Sequence, residues 1–340
     1  MLIAVPKESI PFETRVALIP KHIAELTSQG INVQTEHNAG ISAGFSDKEY
    51  QQAGAKICAT TADTFSSADI IAKIWAPQEN EIEYLSSGQT ILCNTRNISS
   101  EKTIKKFSQA CINLFALDLI PRLSRTQSLD ILSSQNNLDG YEAVIIGAAH
   151  LKNTIPLLIT SAGSLPPVKA LVLGLGVAGL QAIATARRLG AQVYGYDPRS
   201  ETQEQAQSLG AIFIKELTND LLSSVQLIIT SAQIKGKPAP KLLSKQQLQT
   251  LSPLCVIVDL AADSGGNITQ EHLPHGTTLI RDSHMARHIP YAASTMYSGN
   301  IYNFCRLLIK DKQLNIDFSD EIIAQTLICC HTQACHPYLK

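Results

Sequence analysis

Residues 170–197 place the strongest constraint on how this chain folds. A continuous aliphatic run at 170–173 leads into Gly174-Leu175-Gly176-Val177-Ala178-Gly179, and an amphipathic stretch then ends near Gly190. A second apolar run follows and is closed by Asp197. This order of strand, glycine loop, helix, strand and acid is typical of a Rossmann unit, and each part has its own physical task. The sequence therefore predicts a dinucleotide-binding unit here.

The three glycines of the loop have separate predicted roles. Gly174 permits a tight turn, Gly176 lets the backbone approach a pyrophosphate, and Gly179 lets the helix pack close to the strand. Val177 and Ala178 open the helix, whose N-terminus attracts an anion. The alternative interpretation is a glycine turn in an α/β domain that binds no ligand.

The choice of dinucleotide depends on Asp197. It lies 23 residues after Gly174, where a carboxylate accepts hydrogen bonds from the adenosine ribose and repels a 2'-phosphate. This position favours NAD(H) as the cofactor. Arg199 leaves an alternative open, because a nearby arginine can hold the 2'-phosphate of NADP(H).

The length of 340 residues predicts two domains, since single cores stop growing at roughly 250 to 300 residues. We expect an α/β fold of two Rossmann-like domains with parallel sheets, joined by long bridging helices, with the NAD site in the cleft. Apolar runs predict strands at 2–5, 31–35, 70–75, 90–93, 112–116, 170–173, 192–196, 227–230 and 256–260. Helical spacing predicts long helices at 128–152 and 298–310. The predicted domains are 1–132 plus 305–340, an N-terminal α/β domain, and 133–304, the Rossmann domain.

Composition narrows the classes of partner. The net charge is −1 and the basic clusters, such as 102–106, are short, which argues against nucleic acid. No apolar run reaches the roughly 20 residues of a membrane-spanning helix, and Pro6, Lys7 and Glu8 interrupt any signal-peptide pattern. We expect a cytoplasmic chain.

The eight cysteines show no disulfide-framework spacing and are expected to be reduced. A C-terminal run holds residue types that can bind metals: Cys329, Cys330, His331, Cys335 and His336. It lacks the paired spacing of a zinc site. Small buried thiols are the favoured interpretation, and no metal is predicted.

Five segments together resemble a known family. They are 13–17 (ETRVA), 121–130 (PRLSRTQSLD), 174–179, 236–240 (GKPAP) and 293–300 (ASTMYSGN), and they cover almost the whole chain in order. They resemble the NAD(H)-binding domain of proton-translocating NAD(P) transhydrogenases. The wider superfamily includes alanine dehydrogenases, but the 121–130 signature is specific to the transhydrogenase branch.

The resemblance implies that Arg122, Gln127, Asp130 and Ser133 lie over the nicotinamide. Gln127 and Asp130 would share a face of a first helical turn, where an amide and a carboxylate can fix a carboxamide and ribose hydroxyls. The alternative is a helix N-cap region with solvated charges. Further cofactor contacts are implied at Ala232 and Gly266.

The resemblance also implies an enzyme that passes hydride between NAD(H) and NADP(H), which needs positioning rather than an acid or base. It implies a homodimer, an NADP(H)-binding partner subunit, a membrane proton-channel subunit, and peripheral association with the inner membrane. One departure is the short segment at 210–227, where transhydrogenases carry a mobile lid loop.

Two alternatives stay open. In an alanine or keto-acid dehydrogenase, Arg15 would clamp the substrate carboxylate, and Lys73 and Asp263 would polarise the carbonyl and handle protons. Against this, residues 93–96 (CNTR) lack the histidine that alanine dehydrogenases use there. The other alternative is a non-catalytic NAD-binding relative.

Overall fold

The structure is a computed structural model that describes residues 1–98, 101–234, 237–330 and 333–334. Its strands follow the apolar runs of the sequence. In chain order they are β1 (Leu2–Val5), β2 (Asn32–Glu36), β3 (Lys56–Cys58), β4 (Ile70–Trp75), β5 (Thr90–Asn94), β6 (Asn113–Ala116), β7 (Leu158–Thr160), β8 (Gly163–Leu165), β9 (Lys169–Leu173), β10 (Gln192–Tyr196), β11 (Ile212–Phe213), β12 (Leu227–Thr230), β13 (Val256–Asp259), β14 (Thr278–Arg281), β15 (Ile309–Lys310), β16 (Gln313–Leu314), β17 (Leu327–Cys330) and β18 (Gln333–Ala334).

The helices fill most of the connections between these strands. They are α1 (Pro20–Ser28), α2 (Asp47–Gln52), α3 (Thr61–Phe65), α4 (Glu79–Ile82), α5 (Glu101–Gln109), α6 (Ile131–His150), α7 (Val177–Arg188), α8 (Thr202–Ser208), α9 (Asn219–Ser224), α10 (Lys245–Gln249), α11 (Pro290–Leu308) and α12 (Glu321–Thr326). The alternation of strand and helix confirms the predicted α/β class.

The chain divides into two compact units. Unit 1 comprises Met1–Gln135 and the described residues of Arg287–Lys340, and unit 2 comprises Asn136–Ala286. Helix α6 runs across the first division, as expected of a bridging helix. The second division falls in the short 3-10 helix Met285–His288, so all of α11 belongs to unit 1. The sequence predicts that the chain returns to the first domain later, in a helix at 298–310.

Unit 1 is built on a sheet with the strand order β18-β17-β6-β5-β4-β1-β2-β3. Strands β1 to β6 pair in parallel, as predicted. Strand β17 instead pairs antiparallel with β6, and β18 pairs antiparallel with β17. The C-terminal segment therefore extends the sheet with an antiparallel edge.

Unit 2 is built on a fully parallel sheet with the order β11-β10-β9-β12-β13-β14. Successive strands are added on one side of β9 up to β11, and then on the other side from β12 onward. The order therefore reverses between β9 and β12. In open sheets of this kind, ligands bind outside the carboxyl ends of the strands at this reversal.

The central strand β9 shows how both faces of the unit 2 sheet are covered. Leu171 and Leu173 point into one apolar cluster, whereas Ala170 and Val172 point into another. A strand buried on both faces reads as a continuous apolar run, which is why residues 170–173 do not alternate in polarity.

In the described ranges, no helix is long and apolar enough to cross a membrane. Those ranges also hold no group of three or more His, Cys, Asp or Glu side chains arranged to hold a metal ion. Cys329 is buried and Cys330 is half-buried in β17, whereas His331, Cys335 and His336 of the same C-terminal run lie outside the described residues.

Candidate functional site

The glycine loop follows β9 at the point where the strand order reverses. Gly174 has φ +92°, and a Cβ there would lie 2.9 Å from the Ala232 backbone nitrogen, so the turn requires glycine. A Cβ on Gly179 would overlap the Gly174 carbonyl, so α7 can pack this close to the loop only with glycine at this position. Beside Gly176 there is open space instead. The three glycines thus show the geometry that the sequence predicts for a pyrophosphate cradle.

Asp197, immediately after β10, lies beside this loop. Its Oδ2 accepts a hydrogen bond from the Leu175 amide at 2.7 Å, and Arg199 contacts both carboxylate oxygens. Burial alone would raise the pKa of Asp197, but the hydrogen bonds from Arg199 and Leu175 outweigh it and lower the pKa. The carboxylate is therefore fixed in its charged form at the end of the second Rossmann strand.

Helix α6 packs against the start of α7 by close backbone contact. A Cβ on Gly140 would overlap the Ala178 carbonyl oxygen and lie 2.8 Å from the carbonyl carbon. The Asn137 side chain donates a hydrogen bond to Gln181 at 3.2 Å on the same pair of helices. The position of α7 thus depends on Gly140, which lies outside the glycine motif. The only signal for Gly140 in the sequence was a glycine within a long predicted helix.

The far wall of the loop is organised by two buried residues that the sequence reasoning did not single out. Asn267 accepts the Ala232 amide at 3.1 Å and donates to the Ala232 carbonyl at 2.9 Å. Asp259 accepts the Asn267 amide at 2.8 Å, and its Oδ2 would lie 2.7 Å from a Cβ on Gly266. Asp259 closes a buried apolar strand, and an acid in that position was the available signal.

The segment predicted to lie at the nicotinamide divides into two elements. Gln127 belongs to a 3-10 helix, Ser124–Leu129, whereas Asp130 is extended and precedes α6. The two therefore do not share one α-helical turn as predicted, because the chain breaks at Asp130. Asp130 accepts the Ser133 amide at 2.9 Å and its hydroxyl at 2.6 Å, which is the geometry of an N-cap.

Arg122 and Gln127 both have exposed side chains. The loop that carries them is anchored by Thr126, whose hydroxyl donates to the Pro121 carbonyl at 2.6 Å and accepts the Leu123 amide at 3.0 Å. The backbone of this segment is thus fixed by a buried threonine.

Arg15, the carboxylate clamp of the alternative interpretation, is buried in unit 1 with a carboxylate of its own. Glu13 contacts its guanidinium through two oxygens at 2.8 and 2.7 Å, and Gln135 accepts a third bond at 2.8 Å. Burial works to raise the pKa of Glu13, but Arg15 outweighs it and lowers the pKa to about 2. The arginine is therefore already engaged by a charged partner.

Lys73 is also buried and paired. Its ammonium lies 2.8 Å from Glu81 and 3.8 Å from Glu8. Burial raises the pKa of Glu8 from its usual 4.5 to about 7, because Lys73 is closer to Glu81 and only partly offsets the loss of solvation. Glu8, Glu13 and Glu81 were not predicted, and they show that Arg15 and Lys73 belong to a buried charge cluster.

Asp263 follows β13 in unit 2 and lies in a short 3-10 helix, Ala262–Ser264. Its Oδ2 is 2.6 Å from Nε2 of His284, which follows β14. Asp263 and His284 thus form a histidine–carboxylate pair. His284 lies far along the chain from 93–96, the segment where a histidine was expected of an alanine dehydrogenase, so the sequence did not indicate its pairing with Asp263.

Comparison with known proteins agrees with this architecture. The model of the alanine dehydrogenase/PNT N-terminal domain matches residues 4–139, and that of the C-terminal domain matches residues 143–337. The chain belongs to the alanine dehydrogenase/PNT family. Within the family it is 38% identical to NAD(P) transhydrogenase subunit alpha of Haemophilus influenzae, over 95% of this chain and 69% of the relative. It is 35% identical to an NAD(P) transhydrogenase alpha-subunit chain of Rhodospirillum rubrum, over 100% of this chain and 99% of the relative.

This chain is also similar to a solved structure of transhydrogenase from Sinorhizobium meliloti. It superimposes with a TM-score of 0.91 at 36% identity, covering 99% of this chain and 100% of the other. These relatives confirm the predicted resemblance, the enzyme class of NAD(P) transhydrogenase alpha subunits, and NAD(H) as the cofactor. The alignment with the Rhodospirillum relative runs over 379 positions, more than this chain's 340 residues, so this chain has gaps in it.

Proposed function

We propose that this chain is the NAD(H)-binding subunit of a transhydrogenase and passes hydride between NAD(H) and NADP(H) held on a partner subunit. The observation that carries the proposal is the geometry of the loop, where Gly176 faces open space beside the carboxylate of Asp197. A pyrophosphate and an adenosine ribose need these two features side by side.

The residues of unit 2 have distinct roles in this function. The glycine loop and the amides at the N-terminus of α7 bind the pyrophosphate, and Asp197 binds the adenosine ribose. Ala232 and Gly266, held by Asn267 and Asp259, form the opposite wall. The nicotinamide supplies the hydride when the cofactor is bound, and the protein supplies position and the exclusion of water.

In unit 1, we assign Arg122, Gln127, Asp130 and Ser133 to the nicotinamide end of the reaction. Asp130 also caps α6, so its two possible roles must be separated by experiment. An asparagine keeps the capping oxygen and removes the charge. A transfer defect in Asp130→Asn without loss of stability would assign the charge to the reaction.

We further propose that the chain forms a homodimer and docks on the NADP(H)-binding subunit and on a membrane proton-channel subunit, at the cytoplasmic face of the inner membrane. The hairpin β7–β8 supports dimerisation. Its side chains are exposed and include Ile159, which is 75% accessible, and Leu165. An isolated two-stranded hairpin is marginally stable in water, and a second copy would cover it.

The test begins with NADH and NADPH titrations followed by nucleotide fluorescence. The second step mixes the NADH-loaded chain with the NADP(H)-binding subunit of a related transhydrogenase and follows transfer to an NADP⁺ analogue by absorbance. We expect NADH to bind more tightly than NADPH and transfer to require both subunits. Tight NADH binding without transfer would leave a non-catalytic NAD-binding relative.

One observation favours the second candidate, a keto-acid dehydrogenase. His284 on Asp263 is a histidine–carboxylate pair of the kind that handles protons in catalysis. Against it, Arg15 and Lys73 are already paired with carboxylates. We expect no turnover of pyruvate and ammonium with NADH above background. A measured turnover that Lys73→Ala abolishes would replace the transhydrogenase proposal.

A further inference from the structure

The carboxylate of Asp197 already has a full set of hydrogen-bond donors. Oδ2 accepts the Leu175 amide at 2.7 Å and Nη2 of Arg199 at 2.9 Å. Oδ1 accepts the Arg199 amide at 2.9 Å and Nε of the same residue at 2.9 Å. An ionised carboxylate has about four acceptor positions, so none is left for a ribose hydroxyl.

The four donors are of two kinds. The amides of Leu175 and Arg199 belong to the backbone and hold one position on each oxygen. The guanidinium of Arg199 holds the other position on each oxygen, in a two-pronged geometry that resembles the two adjacent hydroxyls of a ribose. The Asp197 side chain is 4% exposed, whereas that of Arg199 is 54% exposed, so the arginine is the partner that has room to leave.

We propose that Arg199 is the specificity-determining residue of the nucleotide site, because its guanidinium occupies the two acceptor positions that the adenosine ribose of NADH must take. This inference rests on the proposed function, since it requires NADH at Asp197. Binding of NADH then includes the displacement of the Arg199 side chain. The backbone amides stay in place and keep Asp197 oriented while the two positions are exchanged.

The displacement has opposite consequences for the two nucleotides. For NADH, the lost ion pair lowers the affinity. For NADPH, the displaced guanidinium is a cation next to the 2'-position, where it can pair with the phosphate. Arg199 therefore narrows the preference for NADH that Asp197 establishes.

Arg199→Met tests this directly, because methionine keeps an unbranched side chain and removes the guanidinium. We expect the dissociation constant for NADH to fall by about two- to fivefold, the range for an ion pair whose cation is exposed to solvent. The dissociation constant for NADPH should not fall. The ratio of the NADPH constant to the NADH constant therefore rises. Arg199→Lys keeps the charge without the two-pronged geometry. Its dissociation constant for NADH should lie between those of Arg199→Met and the native protein.

Arg188→Met is the matched control. Arg188 is exposed in the last turn of α7 in the same unit, so its loss changes the net charge equally and measures the general electrostatic effect on an anionic ligand. General electrostatics predicts weaker NADH binding when a cation is removed, whereas we expect tighter NADH binding in Arg199→Met.

Fluorescence titrations of the full chain with NADH and NADPH separate the outcomes. Unchanged or weaker NADH binding in Arg199→Met overturns the inference, as does equal tightening of both nucleotides or the same effect in Arg188→Met. If the native chain binds no NADH, the proposed function fails as well. If the native chain binds NADH and Arg199→Met does not tighten it, only the inference about Arg199 fails.

Discussion

Adding one methyl group to α6 should perturb the nucleotide loop through backbone contact alone. In Gly140→Ala, the new Cβ would overlap the Ala178 carbonyl oxygen and lie 2.8 Å from its carbon and 2.9 Å from its Cα. Alanine favours a helix over glycine by about 1 kcal/mol, whereas overpacking of a filled site costs ~1–3 kcal/mol or more. The obstacle is main chain at the start of α7 and cannot rotate away. We therefore take the upper end of that cost, about 3 kcal/mol, and after subtracting the gain of about 1 kcal/mol we expect a net loss of about 2 kcal/mol.

The same helix offers a matched control in Gly147→Ala. Its Cβ would lie 2.7 Å from Cδ1 of Leu227, the far end of a side chain that can change rotamer. The gain in helix propensity is the same in both variants, so the comparison isolates the kind of obstacle. We expect the free energy of unfolding of Gly147→Ala to stay within about 1 kcal/mol of the native value.

The measurement is urea unfolding followed by far-UV circular dichroism, which reports both units, whereas the single tryptophan, Trp75, reports unit 1. Because Ala178 lies in the first turn of α7, Gly140→Ala should also weaken NADH binding by about tenfold, or ~1.4 kcal/mol. If Gly140→Ala is as stable as Gly147→Ala and binds NADH normally, the two helices do not approach as closely as argued.

Three further predictions concern carboxylates. Folding raises the pKa of Glu8 from 4.5 to about 7, so the folded state binds more protons than the unfolded state between these values and stability falls as pH rises through that window. Glu8→Gln should flatten the dependence of the melting temperature between pH 4.5 and 7, and an unchanged slope would exclude Glu8 as its source. Asp197→Asn should weaken NADH binding by about 1–3 kcal/mol and reduce discrimination against NADPH; equal native affinities for the two nucleotides would contradict this. Asp130→Asn should keep the melting temperature within about 2 °C, because asparagine caps helices as well as aspartate, and a larger loss would show that the charge itself is needed for the cap.

The amino-acid sequence was enough to predict the nucleotide loop. The need for glycine at Gly174 is a property of one turn, and the apolar run before it and Asp197 after it lie within one strand–helix–strand unit. Their meaning depends on steric and hydrogen-bonding rules that operate locally. For the same reason the central strands of both sheets were predicted within a residue or two.

The sequence did not show where long-range contacts fall. The break at Asp130 was expected only as the alternative of an N-cap, because a capping aspartate and a helical one have the same spacing. The antiparallel strand β17 pairs with β6 from more than 200 residues away, and no local pattern in the sequence indicates that partner. The second passage between units lies at 286–287 because α11 as a whole packs in unit 1.

Which charged side chains are available for chemistry depends on the fold and could not be predicted from the sequence. Arg15 and Lys73 look like substrate-binding residues in the sequence, but Glu13 and Glu81 pair with them in the fold. Arg199 looks like a possible phosphate ligand, but it lies on the carboxylate of Asp197. A buried charged side chain needs a partner of opposite charge, because an unpaired charge is costly to desolvate. Packing determines which partner that is, and spacing along the chain does not.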